Sequence, residues 1–482
     1  MEPKKNMNTK KASSAFCKAL PYTPTDDQLK AIEKLSLFLF DSSEAPLFVL
    51  KGYAGTGKTT LVSSLVKVLP LLNLDFVLLA PTGRAAKVLS LYSGKKAFTI
   101  HKKIYRLRTN NEGLASFVRT NNKHKNTVFI VDEASMINAG TENQEQNLFG
   151  SNNLLDDLVE YVYSGNNCKM LLLGDDAQLP PVHYDKSPAL DEKYLKTKYS
   201  IKLYSAQLTQ VVRQSLESGI LYNATLIRNK LNKTRQSIPV FKLNGFDDIK
   251  RIQGWELEDT VVSSFSSNEK EKSIIICRSN KRANLYNQQI RNRILFFEEE
   301  LSSGDYLMAT KNNYFWLPES SEAGFIANGD MMEVLRVVKT EECYGFRFAD
   351  VSVRLLDYPD EPVLELKIIV DSLHVDKPSL SFNDLRKLYE EIQNDYSDIP
   401  DKRKRYLKTK NNEYYNALQV KFAYALTCHK SQGGQWKNVF VEQSLIPGKN
   451  PDKEFFRWLY TAATRATNNL YLISFSDQFF SE

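Results

Sequence analysis

LFVLKGYAGTGKTTLV, residues 47–62, is the stretch on which the fold turns. Leu47 to Leu50 are all apolar, and a strand covered by helices on both faces reads this way. The run ends in GYAGTGKT, Gly52 to Thr59, which fits the pattern G-x-x-x-x-G-K-[ST]. Thr60-Leu61-Val62 then opens a helical pattern, so the pattern sits between a strand and a helix, as it must. Gly52, Gly55 and Gly57 let backbone N–H groups wrap phosphates, and the helix N-terminus adds partial positive charge. Gly52, Gly55, Thr56, Gly57, Lys58, Thr59 and Thr60 are the expected nucleotide contacts. In this reading Lys58 neutralises the β- and γ-phosphates of ATP, and Thr59 binds Mg²⁺.

Similar runs follow at FVLLAP (76–81), TVFIVDE (127–133) and MLLLGDD (170–176). A second set comprises SIIICRS (273–279), VKFAYALTCH (420–429), NVFVEQ (438–443) and LYLISF (470–475). Two parallel α/β sheets are expected. Between them lies an insert, about 298–416, richer in tyrosine, charge and short alternating runs. Its FIANGDMMEVLRVV (325–338) reads as a turn followed by a strand. The insert is expected to be a small β-barrel with a helical or extended arm near 381–415. The arm carries KRKRYLKTK (402–410), either a phosphate-contacting face or a solvated helix face.

Val131-Asp132-Glu133 closes one of the apolar strands and delivers carboxylates beside the phosphate loop. Asp132 is expected to hold Mg²⁺ through water, and Glu133 to act as general base on the attacking water. Gly174 to Val182, GDDAQLPPV, follows another strand. Gln178 suits a polar sensor of the γ-phosphate or the water, although two prolines would make a turn there in any case.

The chain has 482 residues with net charge +7, a balance compatible with a polyanionic partner or with simple solubility. Its five cysteines form no CxxC pair, so neither a zinc site nor a disulfide framework is indicated. The apolar stretch 61–80 is interrupted by Lys67, Pro70, Asn73 and Asp75, so no membrane span or membrane partner is expected. The expected location is the cytoplasm, in association with the nucleoid. The first twenty residues read as a flexible, Lys-rich tail.

Taken in order, the motifs resemble superfamily 1 helicases of the RecD and Dda type, the 5′→3′ branch. TDDQ (25–28) is similar to that family's adenine-reading motif and implies a base contact by Gln28. APTGRAAKVL (80–89) and TIHK (99–102) resemble strand-contacting motifs. LTQVVRQ (208–214) implies an arginine at the nucleotide, Arg213. ALTCHKSQGGQW (425–436) resembles the coupling motif and brings Gly433 to the nucleotide, with Gln435 a departure at a variable position. YTAATRAT (460–467) implies an arginine finger, Arg465. Both arginines are expected on the second sheet, so that closure of the cleft assembles the site.

The resemblance implies two tandem RecA-like domains, a β-hairpin insert and an SH3-like insert. The expected boundaries are 21–195 for the first domain, with the hairpin at 104–120. The second spans 196–297 plus 416–482, and the insert 298–415. The implied function is ATP-dependent unwinding with 5′→3′ movement on single-stranded DNA, in replication, recombination or repair. Forked or tailed duplexes are the expected substrates, single-strand-binding or replication proteins candidate partners, and the chain a monomer. The expected strand contacts are Thr82, Arg84, His101, Lys102, Thr427, His429 and Lys430, all to phosphates and so without sequence preference. Phe98, Tyr105 and Trp436 are candidates to stack on bases, against the plainer reading of core packing. A translocase with little unwinding and a non-walking ATPase switch are the competing classes; the motifs at 425–436 and 460–467 speak against the switch.

Overall fold

The computed structural model describes residues 2–109, 115–140, 153–212, 217–231, 237–265, 270–318, 321, 323–445 and 450–480; for 2–7, 107–109, 115–117 and 270 it describes the backbone alone. The first domain contains helices α1 (Glu2–Ala19), α2 (Asp26–Leu39), α3 (Lys58–Val68), α4 (Gly83–Ser93), α5 (Ile100–Ile104), α6 (Leu154–Tyr163) and α7 (Glu192–Lys198). Its strands are β1 (Pro46–Gly52), β2 (Asp75–Ala80), β3 (Ala97–Thr99), β4 (Tyr105–Thr109), β5 (Ala115–Arg119), β6 (Thr127–Val131), β7 (Lys169–Gly174) and β8 (Lys202–Leu208). Six of them form one parallel sheet in the order β3-β2-β6-β7-β1-β8, while β4 and β5 pair as a separate antiparallel ribbon. The apolar runs β1, β6 and β7 are central and buried throughout or nearly so. Alternate residues of β1 serve two cores: Leu47 and Val49 face α5 and α6, while Phe48 and Leu50 face α1, α2 and α3.

The second domain adds α8 (Gly219–Leu231), α9 (Leu257–Phe265), α10 (Asn280–Gln289), α13 (Cys428–Ser431) and α14 (Lys453–Ala463). Its parallel sheet has the order β16 (Ala425–Thr427), β10 (Ser273–Cys277), β17 (Trp436–Glu442), β18 (Ala466–Ile473) and β9 (Ile249–Ile252). Between β10 and β16 the chain makes a closed barrel of β11 (Tyr306–Ala309), β12 (Met331–Cys343), β13 (Phe346–Leu355), β14 (Leu364–Ile369) and β15 (Leu418–Phe422). The arm consists of α11 (Phe382–Asn394) and α12 (Lys402–Lys410).

Three expectations need correction. The basic tail is helix α1, docked rather than free. Thr9, Ala12, Phe16 and Leu20 recur at helical spacing and are all buried, a stripe that the lysine content masks. The boundary at 195/196 falls too early, because β8 completes the first sheet along the whole length of β1. As an edge strand with only Leu208 buried, KLYSAQL lacks the all-apolar signature of its neighbours. Residues 420–429 are two strands rather than one, because β15 closes the barrel and β16 enters the second sheet. The insert therefore ends near Phe422, not 415. The apolar run continues across the junction because Ala423 and Tyr424 are themselves buried between barrel and sheet.

Candidate nucleotide cleft and strand-facing groove

The phosphate loop joins β1 to α3. Gly57 caps α3 with φ +81°, where a side chain would be strained, and a Cβ there would meet Gln28 Nε2 at 2.5 Å and Tyr22 Oη at 2.6 Å. Gln28 is fully buried; its amide donates to Thr56 O (3.0 Å) and Tyr22 Oη (3.4 Å), and its Oε1 accepts from Thr25 N (3.1 Å). Gln28, expected to contact the base, is fully buried and is not among the residues lining the cleft; it braces the loop from behind, while Tyr22 lines the cleft at that end. Gly55, Gly57, Lys58, Thr59 and Thr60 line a cavity of about 360 Å³. Thr56 is buried, with its hydroxyl donating to Tyr53 O (2.8 Å). Lys58 Nζ donates to the carbonyls of Gly52 and Tyr53.

Asp132 and Glu133 follow β6 at the facing wall. Asp132 accepts from the Tyr92 hydroxyl and from Glu133 N (2.8 Å). Glu133 has φ +49°, an uncommon conformation for a non-glycine residue, of the kind that tends to cluster at functional sites. Desolvation by burial in the cleft raises its carboxyl pKa above the usual glutamate value; Arg465 opposes this and Asp132 adds to it. Gln178 lines the cavity and is buried, with Oε1 lacking a hydrogen-bond partner among the described residues. An orphaned acceptor on a residue that lines a polar cleft suits a bound water or nucleotide group.

The second domain supplies the opposite wall. Arg465 is 3% exposed and held by donation to Thr461 O (3.1 Å) and Gly434 O (3.2 Å), with Nη1 at 4.0 Å from Glu133 Oε1. Gly433, at φ +74°, lets the coupling loop pass Ala85; a Cβ would lie 3.0 Å from that residue's Cβ. Arg213 lies outside the described residues. The segment leading to it, however, runs on the first domain, with Val212 N donating to Gly55 O (3.0 Å).

The candidate strand contacts gather where both domains meet the barrel. Thr82 caps α4, accepting from Ala85 N (3.2 Å). Arg84 stacks over Trp436, 3.9 Å from the ring centroid, and reaches Met331 Sδ of the barrel. Lys102 donates to Ser321 O (3.0 Å), and Lys430 to Asn328 Oδ1. Burial pushes the Lys430 ammonium down to about 8 and His101 to about 4. The His101 ring packs beside Tyr105 and Phe325. Thr427 precedes α13, and His429 is exposed on it. All three lysine and arginine side chains in this set, Arg84, Lys102 and Lys430, thus reach the segment 321–331.

Two stacking candidates fail. Trp436 is 3% exposed beneath Arg84, and Tyr105 is buried with its hydroxyl on Asp157 Oδ2 (2.5 Å). Phe98 keeps partial exposure, with Lys96 and Lys103 above its ring.

Residues 24–238 match the family model described as an AAA domain, and residues 422–473 match the UvrD-like helicase C-terminal domain. The chain is 27% identical over 267 residues to the ATP-dependent DNA helicase dda of Enterobacteria phage T4, a match spanning 54% of this chain and 55% of that protein. The chain belongs to the superfamily 1 helicases of the RecD/Dda type. An uncharacterised protein of Acanthamoeba polyphaga mimivirus is 26% identical over 92% of this chain and 98% of its own length. The solved Pif1 helicase from Bacteroides, crystallised with ADP-AlF3 and single-stranded DNA, superposes with TM-score 0.46 at 16% identity, covering 96% of this chain and 95% of its own.

In this helicase the seam between the domains is held by residues that the motif reading passed over. Tyr460 Oη donates to Asp175 Oδ2 (2.6 Å) and accepts from Ala54 N (2.8 Å). Leu179 N donates to Thr461 Oγ1 (2.9 Å), and Gln432 Nε2 to Leu179 O (2.7 Å). Tyr460 and Thr461 open the YTAATRAT motif and Gln432 stands in the coupling motif, so the signal lay in segments already singled out for other residues.

Proposed function

We propose that this chain is a DNA-dependent ATPase that moves 5′→3′ along single-stranded DNA and unwinds duplexes, in replication, recombination or repair. The observation that carries the reading is Arg465, held by the second domain and set 4.0 Å from Glu133 on the first. A cation that completes the site only when the two sheets approach ties hydrolysis to domain closure. One chain supplies both walls, which supports a monomeric motor.

Lys58 and the loop N–H groups bind the nucleotide phosphates. Glu133 accepts a proton from the attacking water, Gln178 orients that water, and Arg465 stabilises charge that develops in the transition state. Thr59 and Asp132 offer the hydroxyl and carboxylate oxygens that suit Mg²⁺, which keeps several waters and takes few protein ligands. The ion supplies further charge neutralisation when bound. Gln28 acts on the adenine end through Tyr22 and the loop. Thr82, Arg84, His101, Lys102, Thr427, His429 and Lys430 hold the strand at the three-way seam by its phosphates. The 5′→3′ direction and the hairpin's role rest on resemblance to the branch.

The test is an unwinding assay on 5′-tailed and 3′-tailed duplexes, with ATPase followed in parallel. Unwinding of the 5′-tailed form alone, and ATPase stimulated by an oligonucleotide, is the expected result. ATPase rates equal with and without the oligonucleotide would overturn the reading.

A further inference from the structure

The guanidinium of Arg465 makes its hydrogen bonds within its own domain, to Thr461 O, Gly434 O and the Thr464 hydroxyl. The 4.0 Å gap to Glu133 Oε1 is too long for a hydrogen bond. The place of the charge relative to the carboxylate is therefore set by how α14, which ends two residues before Arg465, docks on the first domain.

One phenol stands at the centre of that docking. Tyr460 is buried, and its Oη donates to Asp175 Oδ2 (2.6 Å) while accepting from Ala54 N (2.8 Å). Burial and the nearby Asp175 charge push its pKa well above the usual tyrosine value, so the hydroxyl keeps its proton and donates. Asp175 follows β7 and is buried, with its other oxygen accepting from Ala177 N (2.9 Å). Ala54 belongs to the phosphate loop and lines the cleft between Tyr53 and Gly55. The adjacent Thr461 fastens α14 to Leu179 N of the same segment (2.9 Å). The Tyr460 hydroxyl does more, because it joins three elements: the phosphate loop, the end of β7, and the helix that carries Arg465.

A contact with the phosphate loop links the seam to the nucleotide. The loop wraps phosphates through its N–H groups, so a nucleotide that shifts Ala54 also shifts Tyr460. From Tyr460 to Arg465 is about one and a half helical turns, a short and stiff path. Catalytic geometry is unforgiving, and a displacement of about 1 Å can cost on the order of 10²-fold in rate. We propose that Tyr460 is a positioning residue for hydrolysis, whose hydroxyl, bridging Ala54 N and Asp175, sets Arg465 against Glu133 once the phosphate loop is filled. This rests on the proposed role of Arg465 as the cation of the transition state.

The test is a double-mutant cycle in the full chain: native, Tyr460→Phe, Arg465→Ala, and the two combined. Phenylalanine keeps the buried ring and removes the hydroxyl alone. Tyr460→Phe should lower kcat on the order of 10²-fold. It should weaken binding of ADP with aluminium fluoride, a transition-state mimic, in the same proportion, while ADP alone binds within about twofold of native. In the Arg465→Ala background the same change should cost less than about twofold more. Asp175→Ala, which removes the acceptor from the other side, should show the same pattern. Native kcat in Tyr460→Phe would overturn the proposal. So would equal loss of affinity for ADP and for the mimic, or a cycle in which the two losses multiply, since either marks a merely structural role. Arg465→Ala hydrolysing ATP at the native rate would instead remove the reading of Arg465 itself.

Discussion

Arg465 Nη1 and Glu133 Oε1 face one another at 4.0 Å across the seam between the two parallel sheets. The arginine is tied to its own domain through Thr461 and Gly434, so it moves with the second sheet rather than following the carboxylate. Its charge therefore depends on closure. Arg465→Ala should leave nucleotide and strand binding nearly intact while lowering kcat on the order of 10³-fold or more. Steady-state ATPase alongside nucleotide binding checks this. Loss of affinity in proportion to the loss of rate would show a ground-state role instead.

The same pair sets a pH dependence. As the proposed base Glu133 works only when ionised, and desolvation in the cleft raises its pKa above the usual glutamate value. The acid limb of the kcat profile should accordingly lie above that value, with activity falling as pH drops through it. Arg465 favours the ionised form, so Arg465→Lys should move the limb little. Arg465→Ala should move it to higher pH. An acid limb unmoved in Arg465→Ala would separate the two residues functionally.

Helix α1 yields a stability prediction. Phe16 is fully buried against α2 and α3. Phe16→Ala should destabilise the fold by about 3–5 kcal/mol, the usual cost of emptying such a site. Urea unfolding followed by circular dichroism measures it. A change within about 0.5 kcal/mol, typical of an exposed position, would mean that α1 is not docked in solution.

What sequence could reveal followed burial. Strands β1, β6, β7 and β10 were legible because a strand covered on both faces must be apolar at every position, and each run stops at a polar cluster. β8 was not, because at the sheet edge KLYSAQL buries only Leu208, and α1 was not, because lysines outnumber its buried stripe. At the cleft, Lys58, Thr59, Asp132 and Glu133 are fixed by short-range spacing from a strand end. Tyr460 with Asp175, and Gln432 with Leu179, pair across more than 250 residues, a distance over which no local pattern operates. The stacking role expected of Trp436 failed because an indole beside the strand motif is equally useful as a platform for Arg84.

The hairpin of β4 and β5 offers the sharpest test of strand separation. Five cross-strand pairs run from Tyr105–Arg119 to Thr109–Ala115, and its tip, 110–114, lies outside the described residues. The base is anchored on α6: Tyr105 donates to Asp157, Arg119 reaches Asp157 at 3.5 Å and contacts Glu160, and Thr120 N donates to Ile104 O (2.8 Å). A ribbon fixed at its root to the first domain can transmit force from the motor to a fork. Stacking costs about 1.4 kcal/mol per base-pair step, within reach of an ATP-driven wedge. Replacing residues 107–117 with a short Gly-Ser turn spares Tyr105 and Arg119, and so preserves the anchor. That variant should retain strand-stimulated ATPase and single-strand translocation, yet unwind a 5′-tailed duplex far more slowly than the native chain. Unwinding at the native rate would rule out the wedge and shift strand separation to the barrel, whose segment 321–331 already touches Arg84, Lys102 and Lys430.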